Sequence, residues 1–487
     1  MNSPTTSGGP DTAPGSDGAS GGDGASGGDG PRGDARAAGR RRARPWGSLA
    51  SFAAGLVAVL IAVLALSGNG GSGGRRPQGS SAALPGPVAG SGAAGTDPVV
   101  ADIALQQDTL RHSPGDADAW ALLGLDYVQQ AKVSVEPAYY PKAEGVLTRS
   151  LALNATSNVL GFAGEAALKA AEHDFTAARS WAQRGLAFDA YNPVLYGALD
   201  DADTQLGRYS EAFAAAQRLN QLYPGVPAFT RAEYVYELRG DIPDAEAAMR
   251  RALDAATSPA DTAFAQYYLG ELAWGRGDPA ASLRFNDAGL AADPSYSLLL
   301  EGKARAEAAL GQVGPAVADY TQVVRNVPQP QYVIKAGEYL QSIGRQKQAE
   351  QMYRLFEVEA RLFIANGVTL DTDPTLFYAD HGSPAQAVAA GVVGIRIRPF
   401  IEMDDAYAWA LHKAGRDTEA LGFEHKATAL GTRNALFYFH TAMIELALGD
   451  RAQARADLST TFAINRYFSP LHEPEARAAL ARLGAAR

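Results

Sequence analysis

The sequence predicts an all-α protein, folded as a right-handed α-solenoid of about ten helix–turn–helix units. The first observation is a ladder of glycines at spacings of 33 to 38 residues: Gly207, Gly240, Gly277, Gly311, Gly344, Gly382, Gly415 and Gly449. The second is a small residue, Ala or Ser, five positions after each glycine. A period of about 34 residues is typical of stacked helical pairs. Ala143 and Ala178 extend the ladder upstream at spacings of 35 and 34, which brings the count to ten.

The spacing within each unit has a physical reason. A glycine at the end of the first helix allows the left-handed conformation that closes a tight turn. The small residue that follows lets the second helix approach the first. Apolar residues of the second helices recur at helical spacing, as in Ala316, Val317, Tyr320, Val323 and Val324 of the sixth unit. This pattern indicates an amphipathic helix that buries one face.

A motif near the start of the array identifies a family resemblance. The stretch Trp120-x-x-Leu123-Gly124-x-x-Tyr127 matches the first-helix pattern of a tetratricopeptide repeat, and Leu269-Gly270 repeats its centre. On these residues the chain resembles tetratricopeptide-repeat (TPR) proteins, over 115–470. The resemblance implies a non-catalytic interaction scaffold that binds a protein or peptide partner in a concave groove.

The composition divides the chain into five segments. Residues 1–46 are rich in Gly, Ser and Asp with an arginine cluster, and we expect a disordered cytoplasmic tail there. Residues 47–67 carry no charge and are long enough to cross a bilayer, so a transmembrane helix is predicted. A Gly/Ser-rich flexible linker over 68–97 follows. The repeat array is then divided into an N-terminal block over 98–366 and a C-terminal block with a capping helix over 367–487.

The flanking charges predict the orientation of that span. Six arginines precede it, whereas only Arg75 and Arg76 follow closely. The positive-inside rule therefore predicts a single-pass cell-membrane protein with a cytoplasmic N-terminus and an extracytoplasmic repeat domain. The alternative is signal-peptide cleavage near Ala65-Leu66-Ser67, which would release a secreted binding protein.

Charge and motif content argue against several function classes. The net charge is -10, and residues 1–76 carry +3, so the rest carries -13, which disfavours nucleic-acid binding. The chain has no cysteine, and none of its seven histidines has a metal-binding spacing. We therefore expect no catalytic residue, cofactor or metal, with an enzyme site built on the solenoid as the second alternative. The runs Asp200-Asp201-x-Asp203 and Asp371-x-Asp373 are interpreted as helix caps and solvated faces.

The resemblance also implies which side chains line the groove. In TPR proteins, positions 5, 9 and 12 of the repeat face inward when the turn glycine is position 15. The candidates selected from these positions are Asp201, Tyr234, Glu237, Tyr267, Glu271, Trp274, Glu301, Arg305, Glu338, Trp409 and His412. Acids interleaved with aromatics favour a basic or extended partner. Packing between repeats is the alternative interpretation for Tyr267 and Trp274.

Overall fold

The computed structural model describes residues 98–134, 136, 138–365 and 371–485. These residues form 22 helices and no strand, which confirms the all-α prediction for this part of the chain. The helices are α1 (Pro98–His112), α2 (Ala117–Ser134), α3 (Tyr139–Leu153), α4 (Val159–Ala171), α5 (Phe175–Leu186), α6 (Pro193–Gln205), α7 (Tyr209–Leu222), α8 (Val226–Leu238), α9 (Ile242–Asp254), α10 (Pro259–Gly275), α11 (Pro279–Ala292), α12 (Ser297–Ala309), α13 (Val313–Asn326), α14 (Pro330–Ser342), α15 (Gln346–Ala365), α16 (Thr372–His381), α17 (Pro384–Ile397), α18 (Ile401–Lys413), α19 (Asp417–Ala427), α20 (Ala435–Leu448), α21 (Arg451–Ile464) and α22 (Glu473–Ala485).

Ten consecutive helix pairs make up the array. They run from α2 with α3, called unit one here, to α20 with α21, called unit ten. The two helices of each pair pack on each other, and each pair packs on the next. Helix α1 precedes the first pair and α22 follows the last. The described residues therefore form a helical-repeat array with the predicted number of pairs.

The turns within the units follow the glycine ladder. Seven of the eight ladder glycines have a φ between 68° and 89°, in the left-handed region. Gly382 is the exception, with a φ of -112°, so the turn of unit eight is built differently from the prediction. In unit two, which lacks the glycine, His173 occupies the turn with a φ of 64°. The turn of unit two thus keeps the left-handed conformation although the sequence supplies a larger side chain there.

The small residues of the ladder are completely buried where each second helix meets the first. All ten have no exposed surface: Ala143, Ala178, Ala212, Ala245, Ser282, Ala316, Ala349, Ala387, Ala420 and Ala454. Interiors are packed too densely to accept extra methylene groups without strain. A larger side chain at these positions would force the two helices of a unit apart.

The array returns onto itself after about five units. Units three, four and five contact the loops that follow units eight, nine and ten. The bonds that join them run from Arg398 to the Gln205 side chain (2.5 Å), from Thr432 to the Leu238 carbonyl (2.5 Å) and from Asn465 to the Trp274 carbonyl (2.8 Å). Their partners lie 193, 194 and 191 residues apart in sequence. Because a solenoid rotates by a small angle per repeat, this near-constant separation marks one turn of the superhelix.

The prediction of a single-pass membrane localisation is contradicted. Across residues 98–134, 138–365 and 371–485, no helix combines the length and the apolar character needed to cross a bilayer. The span predicted over 47–67, with its flanking tail and linker, lies outside the described residues. Membrane localisation is therefore not part of the proposed function.

Candidate functional site

An acidic cavity lies on the inner side of units three, four and five. Its volume is about 410 Å³. One wall comes from the first helices α6, α8 and α10, and the opposite wall from the segments 372–373 and 398–402. Its charged lining consists of Asp200, Asp201, Glu233, Glu237, Glu271, Asp373 and Glu402, with Arg231 and Arg398. The return of the array onto itself therefore encloses a concave surface in which carboxylates outnumber cations.

A second, aromatic cavity adjoins the first and has a volume of about 590 Å³. It is lined mainly by α10, α12, α14 and α16, together with α20, the segment 466–472 and the start of α22. Its rings include Trp274, Tyr320, Tyr339, Tyr467 and Phe468. Asp373 lines both cavities, which places them side by side. Together they form a continuous interior surface of acids and aromatic rings.

Most of the candidates from the sequence line one of these cavities. Asp201, Tyr234, Glu237, Tyr267 and Glu271 line the acidic cavity. A further three, Trp274, Arg305 and Glu338, line the aromatic cavity. The remaining three, Glu301, Trp409 and His412, are not among the lining residues of either.

Several inward acids pair with a cation from the first helix of the next unit. Arg231 donates two hydrogen bonds to Asp201, at 2.9 and 2.6 Å. Arg305 donates to Glu271, and Lys335 donates to Glu301 at 3.0 Å. Partners in these pairs lie 30 to 34 residues apart, about one repeat. These bonds tie neighbouring units together, so part of the predicted groove chemistry is used for stacking.

The aspartates at the end of α6 are buried rather than solvated, contrary to the interpretation from sequence. Asp200, Asp201 and Asp203 are each less than a tenth exposed. Asp203 accepts a hydrogen bond from Arg179 of the preceding unit at 2.5 Å. Arg231 of the following unit binds Asp201 and lies 3.5 Å from Asp200. Arginines from the units on both sides therefore contact this aspartate cluster.

The pKa of an inward carboxyl group depends on whether a cation lies beside it, as Glu301 and Glu237 illustrate. Burial opposes the charge on Glu301, but Lys335 and Arg305 outweigh it and lower the pKa of Glu301. Burial raises the pKa of Glu237 to about 7, and the nearby charges of Glu402 and Glu271 add to the effect. Glu301, with two cationic neighbours, is therefore ionised, whereas Glu237 is held closer to neutrality.

The prediction from sequence missed Glu233, one of the deepest acids of the acidic cavity. It lies on α8 and is only 1% exposed. Burial raises the pKa of Glu233 well above its ordinary value, and Glu237 contributes. Glu233 stands seven residues before the turn glycine, where unit five has Gly270. A carboxylate at a position that takes glycine in another unit is the sequence signal that could have revealed it.

Trp409 lies in the core instead of at an open surface. It is 1% exposed, and its ring stacks on that of His440 with centroids 4.2 Å apart. Its indole nitrogen donates to Asp380 at 2.9 Å. His412 is half-buried and bonds to Asp417 at 2.6 Å. Trp409 and His412 therefore have local structural partners, and we leave both out of the proposed binding surface.

One buried group within the described part of the chain has ligand atoms close enough together to hold a metal. One atom each of Asp405, Glu424 and His440 lies within 4.8 Å of the others. The His440 ring bonds to Asp405 at 2.8 Å. Burial and the charge of Asp405 raise the pKa of Glu424 well above its ordinary value. The Thr441 hydroxyl donates to Glu424 at 3.3 Å, so each member of the group has a hydrogen-bond partner within the protein.

The fold and the interior surface define the class of protein. Ten helix pairs, left-handed turn glycines and a period of about 34 residues confirm the resemblance to TPR proteins. No family model matches the chain, and no curated protein matches it.

The chain is similar in fold to several solved helical-repeat structures. A tetratricopeptide repeat protein from Parabacteroides merdae is 17% identical, over 53% of this chain and 98% of that one, with a TM-score of 0.30. The APC/C hetero-tetramer Cut9–Hcn1 is 13% identical over 79% and 81%, with a TM-score of 0.37. Pseudomonas aeruginosa pilF is 18% identical over 44% and 92%, with a TM-score of 0.34. These scores are low, so the assignment to the class rests on the helix pairs themselves.

Proposed function

We propose that this protein is a non-catalytic interaction scaffold that binds an extended segment of a partner protein or peptide along its interior surface. The observation that carries the proposal is the pair of adjoining cavities on the inner faces of the first helices. Together they offer about 410 and 590 Å³ of space, lined by acids and aromatic rings. A helical-repeat array with an enclosed concave surface is a geometry that suits extended chains.

The aromatic rings are the expected anchors. Trp274 is half-buried on the wall of the aromatic cavity, and the Arg305 guanidinium lies 4.6 Å from its ring. Aromatic and arginine side chains in partly desolvated pockets account for much of the binding energy at protein interfaces. Trp274 and Arg305, with Glu338 and Tyr467 nearby, therefore form the proposed contact surface in this cavity.

The carboxylates favour a basic partner. Seven carboxyl groups and only two arginines line the acidic cavity, and residues 77–487 carry most of the negative charge. Such a surface attracts cations and disfavours acidic segments. We therefore expect positively charged residues in the bound segment.

Selection from a random peptide-display library on the immobilised full-length chain tests the proposal. We expect enrichment of basic sequences with saturable binding. Trp274→Ala should weaken binding of the selected peptides by ~10-fold or more, as expected for an anchor. The matched control is Tyr191→Ala, because Tyr191 is 69% exposed and lines neither cavity. Absence of any saturable ligand, or equal affinity of the two variants, would contradict the proposal.

A further inference from the structure

Glu233 is a buried carboxylate that faces the acidic cavity. Neither of its oxygens has a hydrogen-bond partner among the described residues, and the side chain is 1% exposed. It nevertheless lines the cavity. A buried polar group without a partner costs free energy, and an ionised one costs far more. A cationic group in the cavity would supply the missing partner.

Two further carboxyl groups line the same cavity. Glu237 lies one helical turn further along α8, and Glu402 comes from the opposite wall. Glu402 accepts a hydrogen bond from the Tyr234 hydroxyl at 3.0 Å, and its second oxygen has no partner among the described residues. The three glutamates thus line one cavity from two elements that are distant in sequence.

The cations on the cavity wall already have partners. Arg231 is bound to Asp201 through two hydrogen bonds, at 2.9 and 2.6 Å. Arg398 is bound to Asp371 at 3.0 Å and to Gln205 at 2.5 Å. Neither forms an ion pair with Glu233, Glu237 or Glu402 among the described residues. A ligand is therefore the remaining source of positive charge for these glutamates, which burial otherwise holds closer to neutrality.

Aromatic rings complete the walls. Tyr268 packs against Phe264 with ring centroids 4.9 Å apart, and against Tyr267 at 5.0 Å. All three line the acidic cavity. Ring faces attract guanidinium and ammonium groups, most strongly where water is excluded. Carboxylates and rings together make a cavity suited to a flat, delocalised cation.

We propose that the acidic cavity binds the guanidinium group of an arginine side chain, held by Glu233, Glu237 and Glu402 and packed against Tyr267 and Tyr268. The planar, five-donor guanidinium meets carboxylates in a bidentate fashion and stacks on rings, which a lysine ammonium does not. The pairing of Arg231 with Asp201 on the same wall is an example of this chemistry. The proposal rests on the proposed function in that the arginine belongs to the bound peptide segment.

Fluorescence anisotropy with the full-length chain tests this site directly. The probes are fluorescein-labelled short peptides of alanine and glycine that differ only in the central residue, which is arginine, citrulline or lysine. Citrulline keeps the shape of arginine and removes its charge. We expect arginine to bind at least ~10-fold more tightly than citrulline, as hydrogen bonds to charged groups imply. Lysine should fall between the two, and equal binding of lysine and arginine would overturn the assignment to a guanidinium.

Replacement of Glu233 by an uncharged residue tests where the arginine side chain binds. Glu233→Gln keeps the size of the side chain and should reduce arginine-peptide affinity at least ~10-fold, with loss of the preference over citrulline. The matched control is Glu350→Gln, because Glu350 is exposed on α15 and lines neither cavity. If Glu233→Gln does not fold, Glu402→Gln removes a charge from the opposite wall and is tested in the same way. An unchanged preference in the folded variants would place the cation elsewhere and overturn the inference.

The two proposals fail in different ways. If display selection yields groove-binding peptides without arginine, and arginine and citrulline probes bind equally, the arginine site is refuted while the scaffold function stands. If no displayed peptide and no probe binds, both proposals are refuted.

Discussion

Gly240, in the turn of unit four, packs directly against the carbonyl oxygen of Gly431, in the loop between units nine and ten. A Cβ atom at Gly240 would overlap that oxygen, and one at Gly207 would overlap the carbonyl oxygen of Pro399 in the same way. Some turn glycines therefore have two roles. They adopt the left-handed conformation of the turn, and they let the next superhelical turn approach the backbone closely enough to enclose the cavities.

Replacement of Gly240 tests the second role. Gly240→Ala and Gly311→Ala both place a Cβ in the left-handed region, which costs ~1–2 kcal/mol in each case. Around Gly311 no other atom lies within 4 Å of the added Cβ. Gly240→Ala should lose a further ~1–3 kcal/mol, the usual cost of overpacking. Urea and thermal unfolding of the full-length variants measure the difference, and equal losses would show that Gly240 serves the turn alone.

A buried ion pair supports the same contact between superhelical turns. Asp371 has no exposed surface and accepts hydrogen bonds from Arg398 at 3.0 and 3.2 Å. Asp371→Asn leaves the Arg398 charge buried without its partner, so we expect a loss of ~3–5 kcal/mol in unfolding free energy. The control is Asp108→Asn, which breaks a surface pair with Arg111 and should change stability by less than about 1 kcal/mol. Comparable losses in the two variants would contradict a structural role for the buried pair.

The contribution of the Asp371–Arg398 pair to stability should decrease at low pH. Burial opposes the charge on Asp371, but Arg398, His173 and the Thr372 backbone N–H together outweigh it and lower the pKa of Asp371 below its ordinary value. Its contribution to stability is therefore present at neutral pH and is lost only as pH falls through the lowered pKa. Below pH 4 the wild type and Asp371→Asn should converge in thermal stability.

The repeat units were predictable because the signals that define them are local. A turn that needs a left-handed residue selects glycine, and a close helix contact selects alanine, so both recur with the period of the repeat. The same logic explains why His173, at the position of the missing glycine, still adopts a φ of 64°. Ten units could be counted from residues such as Ala143 and Ala178, which lie in phase with the glycine ladder.

The closure of the array could not be predicted from these signals. Whether Arg398 meets Gln205 depends on the sum of many small rotations between units, which no single residue determines. Glu233 was missed for a related reason, since the family pattern assigns inward positions without regard to what faces them from the next superhelical turn. Trp409 satisfies the same pattern, yet α22 and its neighbours bury it.

Buried acids should make the protein more stable as pH falls from 9 to 5. Burial raises the pKa of Glu445 to about 8, with a contribution from Asp457, and burial raises that of Asp126 to about 7. The folded state holds these protons at pH values where the unfolded chain has released them, so stability is lost as pH rises through the folded-state pKa. Melting temperatures measured across this range should therefore decrease with pH.

Replacement of Glu445 tests whether this residue contributes to the pH dependence of stability. Glu445→Gln cannot ionise, so it should be more stable than the wild type at pH 9, by on the order of 1 kcal/mol. At pH 5, where Glu445 is protonated in the folded state, the two proteins should be similar. Glu350→Gln, at an exposed position, should leave the pH profile unchanged. If Glu445→Gln kept the wild-type dependence of melting temperature on pH, other titrating groups would be responsible for it.

The two tryptophans of the predicted groove should behave in opposite ways. Trp409 is 1% exposed and hydrogen-bonded to Asp380, so Trp409→Ala should cost ~3–5 kcal/mol of stability as a large core truncation. Trp274 is half-buried beside Arg305, and its loss should cost only about 1 kcal/mol, the size of a cation–π contact. Binding of a selected peptide should show the reverse order when each variant is measured at a temperature where it is folded. Normal binding by Trp274→Ala, together with weakened binding by folded Trp409→Ala, would contradict the assignment of Trp274 as an anchor.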